Sequence, residues 1–142
     1  MPSRVLLDRI ADAYAAGDLS ALKTLYAEDA LIFSAAAPEL IMGREEVFAG
    51  GDVLNRTQLI GSIDLIPIDE NAGMLRASAR TADVRGGFRT FDELVWLLTF
   101  SDGLIWRQRV LESRDEATAI YQRYGLDLGL SADDASTTVF KG

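Results

Sequence analysis

At Thr57 the hydrophobic pattern of this chain changes from mainly helical to strand spacing, and that change limits the folds open to it. Before it, Leu6, Ile10, Ala13 and Tyr14 recur every three or four residues, with Asp8, Arg9 and Asp12 opposite, as in an amphipathic helix. After it, Thr57–Ile68, Met74–Val84, Phe88–Phe100 and Leu104–Glu112 read as strands. They are separated by the turn formers Asp69-Glu70-Asn71, Gly86-Gly87 and Ser101-Asp102-Gly103. Helices followed by hairpin-linked strands predict an α+β fold, with helices on one face of a strongly curved antiparallel sheet. A long sheet covered on one side by short helices curls around them and leaves a pocket.

Punctuation divides the segments. Gly17 ends the first helix and Asp18 caps a second, whose apolar stripe is Leu22, Leu25 and Tyr26. A short strand, Ala30–Ser34, and a loop, Ala35–Pro38, follow. Gly43 opens a third helix with Glu45 and Glu46 in its first turn, and Gly50-Gly51 frays it. Ser113 and Glu116 have capping-box spacing and start a last helix carrying Ala117, Ile120, Tyr121 and Tyr124, ended by Gly125. The 142 residues fit one domain, taken as 1–125, with 126–142 a tail anchored by Leu126, Leu128, Leu130 and Phe140.

Composition excludes several chemistries. There is no Cys and no His, which removes thiolates, the commonest metal ligand and every Ser-His or Cys-His mechanism. A net charge of −8 repels phosphate backbones, so no nucleic-acid partner is expected. No window approaches about 18 apolar residues, and the apolar run after Arg4 breaks at Asp8. No membrane partner is expected, and the location is expected to be cytoplasmic. Asp133-Asp134 and Asp115-Glu116 lack the spacing of a calcium loop, and no phosphate-binding loop follows a strand. No metal and no cofactor are expected.

Local motifs point to a family. Tyr14-Ala15-Ala16-Gly17-Asp18-Leu19, with Leu22 and Leu25-Tyr26-Ala27-Glu28-Asp29-Ala30, resembles the opening of nuclear transport factor 2-like proteins, above all the SnoaL-like, polyketide cyclase-like branch. Pro38 with Gly43-Arg44-Glu45-Glu46-Val47 is similar to that branch's third-helix signature, and Asp102-Gly103-Leu104-Ile105 with Arg107 to its last hairpin. The resemblance runs from about residue 5 to about residue 125. It implies a cone-shaped, cystatin-like fold with a pocket between the concave sheet face and the helices. The fold hosts isomerases, cyclases, hydrolases, dehydratases and binding modules, so it does not choose among them.

Carried onto this sequence, the concave positions are Ser34, Ala77, Ala79, Asp92, Leu94, Trp96, Gln108, Val110 and Glu112. The epoxide hydrolase constellation is missing, since Ala77, Ala79 and Val110 stand where it needs Arg and Asp. Of the ketosteroid isomerase set, Tyr14 fits the hydroxyl donor and Asp92 the acid, and no base is evident on Thr57–Ile68. Asp92 on an apolar face is therefore the expected acid–base group, with Glu112 the second carboxylate candidate and Tyr14 the catalytic hydroxyl that orients the ligand. Ser34, Ala77, Ala79, Trp96, Gln108 and Glu112 are the expected ligand-binding residues. Asp92 at a strand entrance, solvated or paired with Arg89 or Arg109, and Glu112 as a rim residue or a partner for Arg114, are the plain structural alternatives. The resulting expectation is a lyase- or isomerase-type enzyme on a hydrophobic small molecule. The alternative is a non-catalytic binding or dimerisation module.

The strands carry apolar residues in both phases. Leu94, Trp96 and Leu98 lie in one, and Phe91, Val95, Leu97, Ile105 and Leu111 in the other. Helices on one face alone would leave the second set bare, so a homodimer through the convex sheet face is expected, with the Leu126–Gly142 tail folding back across the sheet as the other available cover.

Overall fold

A computed structural model describes residues 3–33, 41–49, 57–82 and 86–129. Ser34, the loop at Ala35–Pro38, Gly50-Gly51 and the tail after Gly129 lie outside the described residues. Helices α1 (Ser3–Ala16) and α2 (Leu19–Thr24) lead into strand β1 (Tyr26–Phe33), the short β2 (Ile41–Gly43) and helix α3 (Arg44–Ala49). Strands β3 (Thr57–Asp69), β4 (Ala72–Ala82), β5 (Phe88–Ser101) and β6 (Leu104–Leu111) follow, then helix α4 (Arg114–Tyr124) and a 3-10 turn, Gly125–Asp127. The expected α+β class holds. One curved, unclosed sheet has the order β2-β1-β6-β5-β4-β3. Its pairs are antiparallel except β1 with β6, which runs parallel.

The sequence punctuation acts as expected. Gly17 takes a positive φ of 65° after α1, and the Asp18 carboxylate accepts a hydrogen bond from the Ala21 amide at 3.0 Å. The Ser113 hydroxyl accepts from the Glu116 amide at 3.1 Å. Asp102 and Gly103, with φ of 53° and 76°, make the two-residue β5–β6 turn, the positive φ pair that suits the strands' twist. One boundary differs. Tyr26, placed by its spacing on α2, opens β1 and pairs with Ile105.

The inner sheet face holds the main core. Leu6, Leu7 and Ile10 of α1 pack with Leu75, Leu94, Trp96, Leu98 and Phe100. Gly73 on β4 permits this contact: a Cβ there would sit 2.8 Å from Leu7 Cδ1.

The outer face corrects the expectation that helices cover one side only. Helix α4 and the residues after it lie across that face. Ala117 and Leu128 are fully buried against Met74, Val95 and Leu97, with Ile66, Leu111, Ile120 and Tyr121 at the edge. Polar clamps hold the segment. The Thr99 hydroxyl donates to the Leu126 carbonyl at 2.6 Å, Arg109 Nη1 to the Leu128 carbonyl at 3.1 Å, and the Tyr121 hydroxyl to Asp69 at 2.7 Å. Val95 and Leu97, expected bare, are thus covered by their own chain, and packing continues past residue 125. Ile105 also changes sides. The β5–β6 register inserts Trp106 as an extra residue, which turns Ile105 into the main core while Arg107 stays outside it.

Candidate functional site

The polar residues that meet on the inner face come from β1, β6 and α1. Tyr26 starts β1 with its ring buried, edge-on to Phe48 at 5.6 Å. Gln108 lies opposite Ile32 in the β1–β6 register, in the inner phase, and is 6% exposed. The Tyr26 hydroxyl donates to Gln108 Oε1 at 2.5 Å. Tyr14, on the last turn of α1, packs against the same core with its ring 6.5 Å from Trp96.

The phenols are shifted together. Burial pushes Tyr14 up to about 12, and a hydrogen bond with Tyr26 pulls it partly back. Burial also raises Tyr26 well above the ordinary range, and the neighbouring Tyr14 raises it further. Both are therefore neutral at physiological pH. Neutral phenols in an apolar wall hold or polarise an oxygen atom, and they do not abstract protons there.

The remaining expected residues divide. Ala77, Ala79 and Trp96 are buried on the inner face, as the alternation implied, in one core cluster with Leu94. Asp92 is not with them. Ala77 pairs with Leu94 and Ala79 with Phe91, so β5 spends one residue more than β4 over this step. That bulge at Asp92-Glu93 restarts the alternation and gives the inner position to Phe91. Asp92 is exposed, and its backbone carbonyl accepts from the Ser78 hydroxyl at 2.7 Å. Glu112 is likewise exposed, beyond the end of β6 and 3.6 Å from Arg89, which makes it a rim residue. Ser34 lies outside the described residues.

Sequence reasoning missed Tyr26. Its signal was present: an apolar body with a polar tip, just ahead of the Glu-Asp-Ala step into a strand. Among the described residues, an open groove of about 390 Å³ also runs between α1 and α2, bordered by Arg9, Asp12, Asp18 and Thr24. It includes none of the expected site residues. No three His, Cys, Asp or Glu among the described residues are placed to share a metal ion, and no described helix is long and apolar enough to cross a membrane.

A curved sheet over α1 with polar groups on its concave side is the nuclear transport factor 2-like, cystatin-type architecture. Solved structures of this kind include a candidate polyketide cyclase from Pseudomonas putida, 17% identical, with a TM-score of 0.63 over 81% of this chain and 94% of that one. A Mycobacterium Δ5-3-ketosteroid isomerase is 17% identical, with a TM-score of 0.59 over 81% of this chain and 96% of its own. A Mycobacterium tuberculosis protein in complex with estradiol-17beta-hemisuccinate is 17% identical, with a TM-score of 0.58 over 78% and 93%. At such identity the likeness establishes the fold. Neither a family model nor a curated protein matches the sequence.

Proposed function

We propose that the protein binds an apolar small molecule against the inner sheet face and holds one oxygen of that molecule with the Tyr14–Tyr26–Gln108 cluster. The observation that carries this reading is the buried Tyr26–Gln108 hydrogen bond in a wall otherwise made of Ala77, Ala79, Leu94 and Trp96. A few convergent polar groups in an apolar setting are what a small-molecule site requires. The steroid named with one structural neighbour, and the ketosteroid named with another, are ligands of that description.

The reading favours binding over carboxylate acid–base catalysis. The described buried polar residues are Thr99, Arg107 and Gln108, with no carboxylate among them, and Asp92 faces solvent. Calorimetric titration with estradiol-17beta-hemisuccinate tests it. The wild type binds, Tyr14→Phe binds about three- to tenfold more weakly, as loss of one neutral hydrogen bond implies, and Asp92→Asn binds as the wild type does. Absence of binding, or its loss in Asp92→Asn alone, would overturn the proposal.

A further inference from the structure

Arg89 stands at the far end of the inner face. It pairs with Thr81, one step of the alternation from Phe91, which pairs with Ala79 and packs on the main core. The last β5–β6 pair on this side is Val95 with Leu111, so Arg89 and Phe91 lie past the end of β6. The Arg89 side chain folds back over the face. Its guanidinium sits 4.7 Å from the centre of the Phe91 ring and 3.6 Å from the Glu112 carboxylate. Glu112 follows Gln108 and Val110 at steps of two, and so continues the inner phase of β6.

Three other strand arginines are spent within the fold. Arg76 bonds Asp64, Arg107 bonds the Asp29 and Trp106 carbonyls, and Arg109 bonds the Leu128 carbonyl. Arg89 is held differently. Its contacts among the described residues are the Phe91 stack and an ion pair too long for a hydrogen bond, whose members are 61% and 63% exposed. Such a pair contributes little. The stack fixes the plane of the guanidinium and leaves its fork of donors, the geometry that matches a carboxylate.

We propose that Arg89 is a specificity-determining residue that takes the carboxylate of a ligand whose apolar body lies along the inner face. Glu112 is the internal anion that this carboxylate displaces. The inference rests on the binding reading above and deepens it, naming apolar monocarboxylates as the ligand class. Strand geometry sets their length. Gln108 and Glu112 are four residues apart, about 13 Å of strand at about 3.3 Å per residue. The oxygen held near Gln108 and the carboxylate at Arg89 then stand at opposite ends of one skeleton. A net charge of −8 repels anions in general, so a cation fixed at this end selects where one docks.

The test compares estradiol with estradiol-17beta-hemisuccinate, one body without and with the carboxylate, by calorimetric titration. The readout is the ratio of the two affinities. At low salt the wild type prefers the hemisuccinate by about three- to tenfold, the range of an exposed charge-assisted contact. At about 0.5 M salt the ratio falls toward one, as screening requires. Arg89→Met keeps an unbranched apolar stem on Phe91 and brings the ratio to about one at low salt. Glu112→Gln removes the competing anion and raises it by about threefold.

A preference that survives Arg89→Met or high salt overturns the proposal, as does one that Glu112→Gln lowers or leaves unchanged. If Arg89→Met does not fold, Arg89→Gln replaces it with the same expectation. Equal binding of the two steroids by the wild type refutes the role of Arg89 and leaves the inner-face site standing. Binding of neither refutes the site as well.

Discussion

The two faces of the sheet are both buried, and they use their polar groups in opposite ways. On the outer face the polar side chains are spent on the chain itself: Thr99, Arg109 and Tyr121 all grip the segment from α4 to Leu128 or its surroundings. Arg76 is likewise held by Asp64 at 2.9 Å and Glu93 at 3.8 Å. On the inner face Tyr26 and Gln108 bond side chain to side chain beside Tyr14 of α1, and they hold no backbone carbonyl of the cover as Thr99 and Arg109 do on the outer face. Burial alone therefore does not distinguish a site from a seal. What distinguishes them is whether the buried polar side chains are spent on the backbone of the covering segment or on one another.

The contrast can be broken most forcefully from outside. Val95 has no exposed surface although it lies on the outer face. Val95→Asp puts a carboxylate under α4 and costs more than about 4 kcal/mol in urea denaturation, the penalty of an unpaired buried charge. A bare outer face would tolerate it. Leu128→Ala removes the plug that Arg109 and the 3-10 turn hold, and costs about 2–4 kcal/mol.

The inner face shows itself in alkali. Tyr14 is raised to about 12 in the folded state from an ordinary 10.0, and Tyr26 is raised as well. The folded protein then keeps protons that the unfolded chain loses. Their stabilisation is complete below pH 10, and it falls as pH rises through the folded values. At about 1.4 kcal/mol per unit, Tyr14 accounts for about 2–3 kcal/mol of that fall. Tyr14→Phe flattens the slope of stability against pH above 10. Smaller again is Ala77→Phe, which adds volume on the inner face where the proposed ligand sits. It costs less than about 3 kcal/mol in the same denaturation assay and abolishes binding of the steroid probe. A larger cost would show packed core with no room for a ligand. Smallest is Asp92→Asn, within about 0.5 kcal/mol of wild type by thermal melting, as suits an exposed side chain at a bulge.

The fold was legible because its signals are local. Gly17-Asp18, Ser113 with Glu116, Asp102-Gly103 and the change of period at Thr57 each act over a few residues, and each sits where its chemistry placed it. The site was less legible because facing depends on register. Ala77, Ala79, Trp96 and Gln108 lie on regular stretches and keep their faces. Asp92 lies in a one-residue bulge of β5, and Ile105 precedes one in β6. A bulge leaves no mark in the hydrophobic alternation when both phases are apolar. The return of α4 across the outer face was hidden for a related reason. Ala117, Ile120 and Tyr121 identify an apolar stripe, and which sheet face receives that stripe is decided by the chain path after β6.

The claim that the inner face is the ligand site can be tested on its own reporter. The chain has 2 tryptophans, and Trp106→Phe leaves Trp96, whose ring is 6.5 Å from Tyr14. Titrating that variant with tetralone while following tryptophan emission reads the inner wall directly. The account predicts a saturable change in Trp96 emission that weakens in Tyr14→Phe and in Gln108→Leu and is unaltered in Asp92→Asn. Saturable binding that leaves Trp96 emission unchanged, or a change indifferent to Tyr14 and Gln108, would place the ligand elsewhere and contradict it.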